Sequence, residues 1–398
     1  MVTRRAHALA LLALAELLGM SAWFSASALA PQLRAAWSLS DAQAGWLSST
    51  VQLGFVTGTA TAALLNLADI IPARSYFGLS ALAAAACNAA LLAAGGFAPA
   101  LLTRFGVGFF LAGVYPPAMK MIATWYRDDR GFAIGTVVGA LTVGKATPFL
   151  VHGLEHAGIA PVVLAASAAS AAAGLLVLAA YRDGPFAFER RPFAWNLVGT
   201  VVRCREVRLA TSGYLGHMWE LYAMWSWIAG FLAAGAGLGA RRGDIAGFAA
   251  IAAGGAGCVL GGGLADRYGR ERLTIWAMAL SGGCAAVIGL TAAAPGLVVA
   301  VAIVWGFAVV ADSAQFSALV TELAPAHAVG TALTLQTSLG FLLTMASIQL
   351  VPHLVGAIGW RWAFVALAIG PAAGIAAMHR LWRLRATAPP AATGLPGW

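Results

Sequence analysis

The chain has little charge. Of its 398 residues only 10% are Asp, Glu, Lys or Arg, where soluble domains carry about 25%. With 61% hydrophobic residues, a water-soluble protein of this size could not hide its apolar surface, so the bilayer is the solvent that fits. Cysteine is scarce as well. Cys87, Cys204, Cys258 and Cys284 form no pair with metal-ligand spacing, and three of them sit in apolar runs. Neither a disulfide framework nor a metal centre is expected. There is no His-rich cluster and no nucleophile–base set. Gly261-Gly262-Gly263 precedes a helix end instead of turning a strand into a helix, so it is no nucleotide loop. A membrane enzyme is therefore disfavoured, and no cofactor is expected.

What the chain has is long apolar runs. A crossing needs about 20 such residues. Runs lie near 8–29, 44–67, 76–95, 99–124, 131–153, 162–181, 209–234, 246–264, 273–292, 297–320, 329–351 and 361–379, numbered here as spans 1 to 12. Charge, proline or glycine separates them, including Asp69 to Arg74, Asp244, Pro295, Pro325 and Pro352. The first run follows Arg4 and Arg5 and ends in Ala28-Leu29-Ala30, like a signal peptide. Glu16 interrupts it, however, and Pro31 follows the would-be cut, so an uncleaved first span is expected.

The cations set the expected topology. With both ends inside, seventeen of the 24 Lys and Arg fall in cytoplasmic segments and four outside; Arg104, Lys120 and Lys145 lie within spans. This is the positive-inside pattern, and it makes a nucleic-acid role unnecessary. The polar stretch from Arg182 to Arg208, with Arg190, Arg191, Arg203 and Arg205, reads as an amphipathic cytoplasmic linker. The expected division is an N-terminal six-helix bundle over 1–181, the linker over 182–208, a C-terminal six-helix bundle over 209–381 and a cytoplasmic tail over 382–398.

The two halves echo each other. Glu16-Leu17-x-x-Met20-x-x-Trp23 in span 1 matches Glu220-Leu221-x-x-Met224-x-x-Trp227 in span 7. Leu67-Ala68-Asp69 matches Leu264-Ala265-Asp266, and Ala133-Ile134-Gly135-Thr136 matches Ala328-Val329-Gly330-Thr331. Three matches in one order, at similar offsets, point to a six-helix unit used twice around a midplane site.

Gly262-Gly263-Leu264-Ala265-Asp266-Arg267-Tyr268-Gly269-Arg270 resembles the loop motif of the major facilitator superfamily, and stands where that family carries its second copy. In the first copy Asp69 is kept, Ile70 and Pro72 replace the Arg and Gly, and Arg74 is the basic residue left. Arg104-x-x-x-Gly108 resembles the family's fourth-helix arginine motif, and Arg130-Gly131 its second inner loop. The segments Tyr115 to Lys120 and Gly216 to Tyr222 are loosely similar to bacterial nitrate/nitrite or cyanate porter-like members. Nitrate porters carry an arginine in span 2 and another in span 8, and this chain has neither. The resemblance implies an all-α integral membrane fold of 12 transmembrane helices in two pseudo-symmetric six-helix bundles, with spans 1, 4, 7 and 10 lining a central cavity. It also implies that Arg104 supports coupling, and that Asp69, Arg74, Asp266, Arg267, Gly269 and Arg270 form the gating motif. Physically, Asp266 is placed to accept from a helix N-terminus, expected to be that of span 11, and to pair with Arg270.

An ionisable group at bilayer depth is costly and points to a task. Glu16 and Glu220 are expected on opposite cavity walls, with His217 one turn from Glu220 as its proton-sharing partner. Asp312 heads a polar cluster with Gln315. Lys145, deep in span 5, is a counter-ion to Asp312 or Glu16, or an anion anchor. Proton coupling is thus expected of Glu16, His217, Glu220, Asp312 and Arg104; substrate binding of Lys145, Tyr115, Tyr214, Trp219, Tyr222, Gln315 and Gln336. Pro116-Pro117 implies a kink in span 4. Exporting antiporters of the resembled family often carry Gly-Pro in span 5; here Lys145 follows Gly144, which favours uptake. The expected function is a secondary active transporter, coupled to protons, moving a small polar solute across the bacterial inner membrane by alternating access. It would work as a monomer among membrane lipid. A drug or metabolite efflux antiporter, and a non-transporting sensor or assembly protein of the same fold, are the alternatives.

Overall fold

The computed structural model describes residues 2–127, 129–155, 158–186 and 193–387, and every described element is helical. Arg190 and Arg191 of the linker lie outside the described residues, as do the side chain of Asp69 and most of the tail.

Among the described residues nine helices are long and apolar enough to cross a membrane: Ala73–Ala93, Phe97–Ala123, Arg130–Leu154, Ile159–Ala180, Ala240–Tyr268, Arg270–Thr291, Pro295–Leu323, Ala326–Ile358 and Trp360–Ala386. These are spans 3 to 6 and 8 to 12. The other three expected spans are also helical. Span 1 runs Val2–Met20, breaks, and resumes as Ser25–Ala28 and Ala30–Trp37; span 2 is Asp41–Leu64; span 7 is Arg205–Gly230. Their polar residues make them less apolar, notably Glu16, Gln52, His217 and Glu220, all buried. Helices that give up lipid solubility to carry buried polar groups are the ones that face a site.

Three boundaries differ from the sequence reading. Asp244, expected in a break, lies inside span 8, because its carboxylate is buried against His152 of span 5 at 2.6 Å. Pro352 lies inside span 11 and does not end it. Span 4 breaks at residues 112–114, just before Tyr115–Ala123, and not at the prolines. Pro116 and Pro117 fall in the first turn of that second helix, where a missing N–H costs nothing.

The halves pack by the same plan. Span 1 packs on spans 5 and 6, span 2 on span 4, and span 3 on spans 4 and 6; span 7 packs on spans 11 and 12, span 8 on span 10, and span 9 on spans 10 and 12. The halves meet where span 5 lies along span 8 and span 11 along span 2, contacts that a two-fold axis would exchange. The span 5–8 seam is built on glycine. A β-carbon on Gly139 would come 2.7 Å from the Gly255 carbonyl, and one on Gly135 3.0 Å from that of Cys258. Gly254, Gly257 and Gly261 turn instead to the backbone of span 10, so span 8 is a glycine-faced blade between two neighbours.

Candidate functional site

The site begins with the break in span 1. Residues 21–24 leave the helical ladder and free carbonyls that hydrocarbon cannot satisfy. Arg104 of span 4 satisfies them. It is fully buried and does not snorkel. Its guanidinium donates to the carbonyls of Ala22 (3.1 Å) and Trp23 (2.5 Å), to Ser25 Oγ (3.1 Å) and to Asn88 Oδ1 (2.9 Å). Asn88 in turn donates to the Val163 carbonyl and Ser167. Hydrogen bonds from a charged donor are worth about 1.5–3 kcal/mol each, enough in sum to hold a cation that has no carboxylate among these partners.

That brace fixes Trp23, and Trp23 faces Lys145. The ammonium lies 3.9 Å from the centre of the Trp23 ring, 4.7 Å from that of Tyr222 and 5.3 Å from that of Trp225. It donates to the Tyr222 hydroxyl at 2.5 Å. Cation–π contacts reach about 2 kcal/mol once water is gone, and Lys145 is 2% exposed. Phe55 and Phe341, 4.5 Å apart, pack against Trp23, and Phe341 also against Tyr222. The box therefore takes walls from spans 1, 2, 7 and 11, and so from both halves.

Glu16 lies beside the box. Spans 1 and 5 touch where Gly144 meets the Leu17 carbonyl; Glu16, just before Leu17, and Lys145, just after Gly144, are electrostatic neighbours. Both carboxylate oxygens of Glu16 are buried without a hydrogen-bond partner. Tyr115 is a neighbour of Glu16 in turn, and of Tyr214.

The C-terminal half is wired differently from the sequence reading. His217 is not paired with Glu220. Its Nδ1 stands 2.9 Å from Asp312 Oδ1, at ion-pair distance without hydrogen-bond alignment. The two residues are neighbours on the helix, about 60° apart around its axis, but each takes a partner from another span: His217 faces Asp312 of span 10, and Glu220 turns to Ser281 of span 9 and Trp305 of span 10. Glu220 accepts from Ser281 Oγ (2.7 Å) and Trp305 Nε1 (2.6 Å), inside its own half. It does not face Glu16 across a cavity. Trp219 donates to the Ala366 carbonyl on the span 12 side, so it packs instead of lining the box. Gln336 donates weakly to the Phe316 carbonyl and leaves its oxygen unpartnered. Gln315 accepts from Arg270 at 2.6 Å, which assigns it to the loop motif.

At that arginine-rich end Gly269 has φ +90°, a conformation that favours glycine. Asp266 approaches span 5, not span 11: a β-carbon on Gly131 would lie 3.4 Å from its Oδ2. Arg270 pairs with Glu322 at 2.7 Å, not with Asp266, and Arg385 bridges to Glu271 and Glu322. A cleft of about 460 Å³ opens among these groups. Arg267 lies over Tyr268, and Arg74 is exposed at the start of span 3. At the opposite end His152 meets Asp244, and Gln349 of span 11 lies against Gly45 of span 2.

The sequence reading missed Asn88, His152, Asp244, Ser281, Trp305 and Glu322 as partners. Lone polar residues in apolar runs were the available signal for Asn88, Ser281 and His152; Trp305 had none.

The Major Facilitator Superfamily family model matches residues 12–348. No curated protein sequence matches the chain. Among solved structures, a bacterial homolog of the human lysosomal transporter Spinster, inward-facing and unoccupied, superposes with a TM-score of 0.73 at 16% identity, covering 97% of this chain and 99% of that one. Its inward-facing occupied form gives 0.71 at 18%, with the same coverage. A mutant of the nucleoside transporter NupG gives 0.70 at 15%, covering 94% and 100%. At these identities the structures speak for the fold. Twelve spans in two equivalent halves, with the family match across most of the sequence, make this chain a member of the Major Facilitator Superfamily, a membrane transporter and not an enzyme.

Proposed function

We propose that this transporter takes up a small polar solute by proton-coupled alternating access across a bacterial inner membrane, as a monomer with its arginine-rich end in the cytoplasm. One observation carries the reading: a fully buried carboxylate, Glu16, has no hydrogen-bond partner and lies next to a buried ammonium, Lys145, at a junction of the two halves. Burying an unpaired charge costs several kcal/mol. A carboxylate kept under that condition is suited to take up and give back a proton.

The coupling works through competition for Lys145. Ionised Glu16 claims the ammonium; protonated Glu16 leaves it to the solute. The titratable groups around Glu16 are Lys145 of span 5, Tyr115 of span 4, Tyr222 of span 7 and, behind Tyr115, Cys258 of span 8. Tyr115, Tyr214, Tyr222 and Gln336 are the polar contacts offered to the solute. His217 and Asp312 are a second titratable pair, held in reserve within one half, and Arg104 acts by bracing span 1. Asp266 against Gly131 holds one end and His152 against Asp244 the other; rocking on the glycine seam opens them in turn. Asp69 and Arg74 remain with the loop motif in this scheme.

The test uses protein reconstituted in liposomes, with a solute identified by a melting-temperature screen. An acid-outside gradient drives accumulation that a protonophore abolishes. Glu16→Gln protein keeps solute exchange but accumulates nothing. Accumulation by Glu16→Gln at the wild-type level rejects the scheme.

A further inference from the structure

We infer that the aromatic box around Lys145 binds a small organic monocarboxylate with an apolar, flat body, and that it is carried with one proton and no net charge. The inference deepens the reading just given and rests on it for the transport step, though not for binding.

The box holds one cation. Among the described residues Lys145 makes no ion pair, and its one hydrogen bond is to a neutral hydroxyl, that of Tyr222. Buried donors are left open here as well as acceptors; the open acceptors are Gln52 Oε1 and the two Glu16 oxygens, one of which carries the proton when the site is loaded. The indole N–H groups of Trp23 and Trp225 have no acceptor, nor has the amide of Gln52, one turn from Phe55 on span 2. Buried donors without acceptors are costly, and a carboxylate supplies the acceptors that Lys145 and these groups lack. A cationic solute would meet the ammonium of Lys145 in a medium that screens poorly. A polyanion would bring charge that a single lysine cannot balance.

The walls decide the rest of the ligand. Trp23, Phe55, Phe341 and Trp225 present ring faces and edges. An inorganic anion gains nothing from them, whereas an apolar body removed from water does. Lys145 and Trp23 are 2% and 1% exposed, so only a small body fits once Lys145 turns from Tyr222 to the carboxylate.

Charge bookkeeping follows. Loaded, the site contains Lys145 as a cation, the carboxylate anion and neutral Glu16 carrying the proton. Empty, it contains the Lys145 cation and the Glu16 anion. Both forms cross with no net charge, so a pH gradient drives the solute and the membrane potential does not. Tyr115, Tyr222 and Cys258 stay neutral in both.

Benzoate is the probe, added to purified full-length protein while melting temperature and tryptophan fluorescence are followed. Benzoate is expected to raise the melting temperature and quench the indoles. Benzamide, benzylammonium, phenylalanine and nitrate are expected to do neither at the same concentration. Lys145→Gln is expected to weaken benzoate binding at least tenfold. The wild-type series decides the question even if that variant fails to fold. An equal response to benzamide, to phenylalanine or to nitrate overturns the assignment, as does benzoate binding that survives Lys145→Gln unchanged. In liposomes, benzoate binding without gradient-driven uptake would sink the proton-coupled scheme and leave the ligand class standing. Gradient-driven uptake of another solute with no benzoate binding would do the reverse. Uptake that responds to membrane potential at fixed pH overturns the neutral stoichiometry.

Discussion

Arg104 and the two glutamates show how much depends on single partners. Arg104→Lys keeps the charge but supplies one donor group where the guanidinium serves two carbonyls, Ser25 and Asn88. Each buried acceptor left open costs about 1–3 kcal/mol. The variant is expected to melt several degrees lower, and to lose the quenching of Trp23 by ligand, because the carbonyl that fixes that residue is released. A circular-dichroism melt and a fluorescence titration check this. Glu220→Gln is expected to be mild. An amide keeps an oxygen for Trp305 Nε1 and a polar group for Ser281, so gradient-driven uptake should stay within about twofold of wild type, a cost near 0.4 kcal/mol by the usual conversion. The repeat in the sequence made Glu16 and Glu220 look equivalent. Their environments are not: one is open at a junction of the halves, the other is satisfied within its own half. Identity and spacing were legible; the partners, which come from residues more than sixty positions away, were not.

At the scale of elements, the pattern of apolar runs located the spans well, because hydrocarbon enforces length and backbone satisfaction. It failed where a polar residue found a buried partner. Asp244 looked like a loop because the sequence could not show His152 facing it from span 5. The span 4 break was placed on its prolines, where backbone hydrogen bonds were presumed lost, yet those prolines start the next helix. The contact between spans 1 and 5 is an element-level feature with a direct test. A β-carbon on Gly144 would run into the Leu17 carbonyl. Gly144→Ala therefore pushes the two spans apart, at an overpacking cost of about 1–3 kcal/mol. The expected outcome is a lower melting temperature together with impaired accumulation, since Glu16 and Lys145 separate. Gly199→Ala, at a position with nothing within 4 Å, is the control that should change neither.

At the scale of the whole molecule, the two halves meet along spans 5 and 8 and along spans 2 and 11, with one titratable pair at an end. If rocking opens the ends in turn, loosening His152 from Asp244 biases the molecule toward opening there. Asp244→Asn is expected to increase the labelling of a cysteine introduced at Ser49 by a water-soluble maleimide, in a protein lacking the four native cysteines. Equal labelling in both backgrounds counts against that gate. The motif at the arginine-rich end was recognised correctly as a loop signature, but its partners were assigned within one half. The cross-half approach of Asp266 to Gly131 is a property of assembled halves, which no local pattern encodes.

Everything mechanistic depends on Glu16 as the group that exchanges its proton when the site fills. Ligand binding to purified protein in weakly buffered solution, followed with a pH dye, measures this without any membrane. Wild-type and Glu220→Gln protein are expected to take up about one proton per bound ligand above the pH at which Glu16 ionises, by linkage, and Glu16→Gln protein none. Proton uptake that persists in Glu16→Gln, or that vanishes in Glu220→Gln, would contradict it.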